Sequence, residues 1–92
     1  MQVTILGKRW GFKFTRLPRG TDGECDDPQM RGKEIRIRKG LSEADTLETI
    51  VHEALHAADW HRSEPWVEEV GRDIARLLWK LGYRRTADVP DD

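Results

Sequence analysis

From Ser42 to Gly82 the apolar residues fall into two stripes of helical period with almost nothing between them. Leu47, Ile50, Val51, Ala54, Leu55 and Ala58 recur at spacings of three and four, and so do Val67, Val70, Ile74, Leu77, Leu78 and Leu81. Such spacing places side chains on one face of an α-helix. Ser42 with Asp45 three residues on resembles a capping box, Asp standing where Glu or Gln is usual. Ser63 suits the N-cap of the second helix, Glu64 and Pro65 its first turn, and Gly82 its stop. His61, Arg62 and Ser63 leave room only for a tight turn, so the helices must fold back as an αα-hairpin.

Inside the first helix His52, Glu53, Ala54, Leu55 and His56 spell HExxH. Residues four apart lie one above the other, so both imidazoles can reach one cation while Glu53 stands beside it. Zinc in such a setting lowers the pKa of a bound water from about 15.7 to about 7, and the Glu accepts the proton as the water attacks a carbonyl. The bland alternative is a pair of surface histidines. The helix argues against it, because both histidines lie at the margin of the apolar stripe, where packing holds a side chain that still faces a cleft.

A catalytic zinc takes three protein ligands and leaves one position for water. Reflecting the hairpin about residue 62 sets His56 opposite Glu68 or Glu69, and His52 opposite Arg72 or Asp73. Glu69 is the preferred third ligand, because Glu69 and Asp73 are four apart and Asp73 could orient a ligating histidine through its other nitrogen. Glu68 is the alternative, although Arg72 at the same spacing gives it an ordinary surface partner. Glu64 ranks third among the candidates, because it falls in the first turn, where its charge is explained by the helix dipole.

HExxH on one helix with an ExxxD pair, Glu69 and Asp73, on the next resembles the gluzincin branch of zincin metallopeptidases, over residues 34 to 81. The run from Leu47 to Tyr83 also resembles small zincin-like proteins of bacteriophage and prophage genomes. The resemblance implies a zinc cofactor held by His52, His56 and Glu69, Glu53 as general base, Asp73 behind the ligands, and a peptide or protein substrate. The metzincin pattern HExxHxxGxxH fits badly, since Asp59 replaces its glycine and Arg62 its third histidine. His61 misses that register by one residue and reads as a turn histidine.

Upstream, Val3 and Ile5, then Trp10, Phe12 and Phe14, alternate with polar residues around Gly7, Lys8 and Arg9, predicting a β-hairpin with one buried face. Glu34 to Arg38 alternates again, with Ile35 and Ile37 inward. By the zincin resemblance this third strand is the cleft edge that pairs with an extended substrate; the plain alternative is an edge strand guarded by charge. The Gly, Asp and Pro residues between Pro18 and Gly32 predict a loop, of a length common in lids and binding segments, and its acids lack the spacing of a calcium loop. Cys25 is the only cysteine, so no internal disulfide exists and a buried thiol is expected. The expected fold is α+β: a small antiparallel β-sheet of about three strands packed on the hairpin, one domain over residues 1–85, with a flexible tail at 86–92.

Residues 1–40 carry ten Lys and Arg against five Asp and Glu, and residues 41–92 carry six against twelve. The helical half is acidic, as cation capture requires. The basic half lacks interleaved stacking aromatics, which disfavours nucleic acid. No apolar run is long enough to cross a membrane and no signal-peptide pattern is evident, so the cytoplasm is the expected location. A chain of 92 residues has a thin core. Bound zinc would therefore stabilise the fold, and a homodimer or partner protein could complete the cleft. These features predict a zinc-dependent peptidase, with a non-catalytic zinc-stabilised interaction module as the alternative.

Overall fold

The structure, a computed structural model, describes residues 1–86. All but the first residue of the expected tail therefore lies outside the described residues. The fold is α+β, in the order β1 (Gln2–Ile5), β2 (Lys8–Thr15), β3 (Gly23–Cys25), β4 (Glu34–Arg38), α1 (Glu43–Ala58) and α2 (Glu64–Lys80). β1 and β2 form the expected hairpin, closed by Leu6 and Gly7, both at positive φ. That pair of backbone angles matches the twist of two-residue hairpin loops, and the turn falls earlier than the Gly7 to Arg9 reading.

The sheet differs from the expected antiparallel three strands. It has four, in the order β1-β2-β4-β3, and β2 pairs with β4 in parallel, Phe12 beside Ile35 and Phe14 beside Ile37. A parallel pair needs a crossover of a dozen or more residues, and the segment read as a long loop supplies it. That segment also carries β3, antiparallel to β4. Three residues containing a glycine and a cysteine offer no alternation from which a strand could be read. β4 is consequently an inner strand, flanked on both sides, and cannot be the substrate edge.

Inward-facing Trp10, Phe14, Ile35 and Ile37 form the core with Ala57 of α1, and Val3, Phe12 and Ile50 pack around them. Burial of each large side chain contributes roughly 1.5–3 kcal/mol. α1 lies across the inner face of the sheet, and α2 packs chiefly along α1. Both predicted caps form: Ser42 Oγ accepts from the Asp45 N–H at 3.1 Å, and Ser63 Oγ from the Trp66 N–H at 3.4 Å. α2 ends on Gly82 at positive φ, with the Gly82 and Tyr83 N–H groups donating to Trp79 and Leu78 carbonyls. Among the described residues no helix is long and apolar enough to cross a membrane.

α2 buries Val67, Gly71 and Ala75, not the stripe of larger residues. Gly71 marks the closest approach of the two helices: a methyl group there would lie 3.4 Å from His52 Cα and 3.5 Å from its nitrogen. A methyl group would thus sit in ordinary contact with the α1 backbone and anything larger would press on it, so the position takes a small residue. This contact fixes the phase of α2 relative to the HExxH residues.

Candidate metal centre

His52 and His56 lie on α1 with ring centroids 4.9 Å apart. Both Nε2 atoms point at one carboxylate, that of Glu64 at the start of α2. His52 Nε2 is 2.8 Å from Oε1, and His56 Nε2 is 3.0 Å from Oε2. With hydrogen on Nε2, each imidazole donates to the carboxylate. With both Nε2 atoms deprotonated, two nitrogens and a carboxylate oxygen converge on one point, the donor set that zinc prefers. The three ligand atoms lie within 4.8 Å of one another. Tetrahedral zinc spaces its donors by about 3.3 Å, so the closest of these contacts need open only slightly to admit the ion.

The carboxylate that meets the two histidines is therefore Glu64, and the expected Glu69 lies elsewhere. Gly71 on His52 sets α2 so that Val67, Gly71 and Ala75 face α1. Glu64, three residues before Val67 and seven before Gly71, falls on that side, whereas Glu69, two residues after Val67, falls away from it. Glu69 and Asp73 are exposed in a shallow groove with Glu68, Arg72 and Arg76. Asp73 accordingly does not orient a histidine, and among the described residues no carboxylate accepts from either Nδ1. His61 is exposed and stands outside the cluster. The legible signal for Glu64 was Gly71 itself, a residue that tolerates a helix interior best where a partner backbone passes close. Its place in the first turn, where the helix dipole accounts for its charge, ranked Glu64 behind Glu69 and Glu68 in the sequence.

Glu53, beside His52 on α1, lies close under β3. It is 7% exposed, yet no hydrogen bond or ion pair within 4 Å holds its carboxylate among the described residues. Burial pushes its pKa above the usual carboxyl value; His52 and His56 oppose that shift, and Glu64 and Glu24 add to it. β3 passes directly over it. A Cβ on Gly23 would lie 2.7 Å from Thr49 Cγ2 and 2.9 Å from Glu53 Oε2, so only glycine lets this strand cover the carboxylate.

The two histidines, Glu53 and Glu64 line one cleft of about 960 Å³, walled by β3, by Thr49 and by Trp60. The Trp60 ring meets His56 edge-on, 6.4 Å between centroids. Cys25, also on the wall, has its thiol pushed up to about 12, by burial first and then by Glu53 and Asp26. It stands outside the histidine and carboxylate cluster. Three of the four loop acids are taken up by arginines, Glu24 and Asp26 holding Arg36 and Asp22 lying 3.4 Å from Arg38, and Asp27 accepts the Gln29 N–H.

Comparisons with protein-family models, with curated proteins and with solved structures found no match.

Proposed function

We propose that the chain is a zinc-dependent peptidase in which His52, His56 and Glu64 hold the metal and Glu53 is the general base. The observation that carries this reading is the convergence of three zinc-type donors within 4.8 Å, in the same cleft as a buried carboxylate that has no protein partner. A zinc ion in that donor set supplies Lewis acidity toward a water and toward the carbonyl of the bond to be cut. Glu53 accepts the proton of the attacking water and delivers it to the departing amine nitrogen, so that one water is consumed per amide bond.

Topology favours an extended peptide as substrate. Toward β4, the Arg38 N–H donates to the Asp22 carbonyl and the Asp26 N–H to the Glu34 carbonyl. Along an antiparallel ladder this alternation turns the backbone groups of Gly23 and Cys25 outward, to the free edge of β3 at the cleft. β3 thus takes the role expected of residues 34 to 38, and a peptide adding to it would run past Glu53.

The test is cleavage of a diverse peptide pool by the zinc-loaded protein, beside Glu53→Gln. Cleavage is expected to fall by roughly 10²–10⁴-fold in the variant, with bound zinc unchanged. Equal cleavage by both proteins would refute the role of Glu53, and a pool left uncut by the zinc-loaded protein would leave the non-catalytic module as the better reading.

A further inference from the structure

α2 carries a second apolar stripe that the fold does not bury. Trp66 is 37% exposed, Ile74 37%, Leu77 58% and Leu81 66%, and Val70 is only half-buried. Spaced by three and four, these residues form one continuous strip beside the buried seam of Val67, Gly71 and Ala75. Glu64 and Glu68 flank that seam on its opposite side, so the strip does not line the metal cleft. Four charged residues border the strip on its outer flank: Glu69 and Asp73 in the first half of the helix, Arg76 and Lys80 in the second. All four are exposed, and none makes an ion pair among the described residues. Within the helix the like-charged Glu69 and Asp73, and again Arg76 and Lys80, stand four apart, while Asp73 and Arg76 are three apart yet form no ion pair among the described residues.

We infer that this strip is the interface of a homodimer in which α2 packs antiparallel against its own copy about a two-fold axis at Ile74. The charges select this occupant. Acids in one half and bases in the other are matched along their full length by a partner with the same order running the opposite way, which a second copy provides by symmetry. With Ile74 on its own counterpart, Val70 meets the partner's Leu77 and Trp66 meets the partner's Leu81. On the same flank Glu69 faces the partner's Lys80, and Asp73 faces the partner's Arg76. A parallel pair would set like charges together, and an anionic surface would repel Glu69 and Asp73. The dimer leaves both metal clefts open.

Sedimentation of the full chain as a function of concentration tests this. The unaltered protein is expected to show a monomer–dimer equilibrium, and Leu77→Lys to weaken it at least about tenfold with zinc content unchanged. Leu77→Ala, a truncation at an exposed site, serves if the lysine disturbs folding. The sharper arm uses two charge variants, an all-basic one (Glu69→Lys with Asp73→Lys) and an all-acidic one (Arg76→Glu with Lys80→Glu). Each alone is expected to be monomeric, and their mixture to associate. A protein that stays monomeric at every concentration, or charge variants that self-associate as tightly as the unaltered chain, would overturn the interface.

Discussion

Arg36 and the pair His52 and His56 each gather carboxylates, but the two clusters are closed to different degrees. Around Arg36, which with Glu24 lines the rim of the same cleft as the histidines, Glu24 sits 3.0 Å from Nε, Asp26 2.6 Å from one terminal nitrogen and Glu34 3.2 Å from the other. Asp26 Oδ2 also accepts the Glu34 N–H at 2.9 Å. The guanidinium is the cation of that cluster, and its partners tie β3 to β4. At the cleft, one carboxylate spans two imidazoles while a second, Glu53, is buried without a partner. Acid collected around an arginine holds a fold together, whereas acid and imidazole converging with no fixed cation between them make a site that can take one up.

The contrast predicts different responses to substitution. His56→Ala should abolish the stabilisation that zinc confers, which for the unaltered protein is about 2.7 kcal/mol at a free metal concentration one hundredfold above Kd. Thermal melts with and without zinc measure it. Arg36→Ala should behave in the opposite way, destabilising the apo fold by about 2 kcal/mol through three carboxylates left without their donor, while zinc stoichiometry is unaltered. Denaturant unfolding checks the first half of that statement and metal analysis the second.

A smaller effect follows from Asp26. Its hydrogen bonds to Arg36 hold the carboxyl below its ordinary value of 3.8, against a partial opposition from burial. A carboxyl whose folded pKa is depressed adds stability that is fully present above the unfolded value and is lost as pH falls through the folded one. Asp26→Asn should therefore lower stability at neutral pH by about 1 kcal/mol, and the difference from the unaltered protein should shrink as pH falls below 3.8. Stability curves of both proteins across the acid range decide this. The least change is expected at Cys25, where a thiol pushed up to about 12 should react with a disulfide reagent far more slowly than a free thiol at neutral pH. Brisk labelling of the native protein would contradict its burial against Glu53.

The residues that were legible are those governed by local periodicity. Ser42, Ser63 and Gly82 delimit the helices because caps act within one turn, and the alternation of Trp10, Phe12 and Phe14 reports a single buried face. HExxH was legible for the same reason, its geometry being internal to one helix. What escaped the sequence depends on contacts between elements. β4 alternates like an edge strand, and only its pairing with β2 and β3 makes it an inner one. The larger residues of α2 suggested a buried face through Ile74 and Leu77, yet the small residues Gly71 and Ala75 let α1 approach and turn the heavier stripe outward. That rotation brings Glu64 and not Glu69 to the two histidines, and it leaves the apolar strip of α2 exposed.

The central claim is that one divalent ion is shared by two imidazoles of α1 and the first carboxylate of α2. Titration of the apo protein with zinc, beside Glu64→Ala and Glu69→Ala, tests it most directly. One equivalent bound by the unaltered chain and by Glu69→Ala, with affinity weakened about tenfold or more in Glu64→Ala, is the predicted result. Unimpaired binding by Glu64→Ala together with loss in Glu69→Ala would contradict the account.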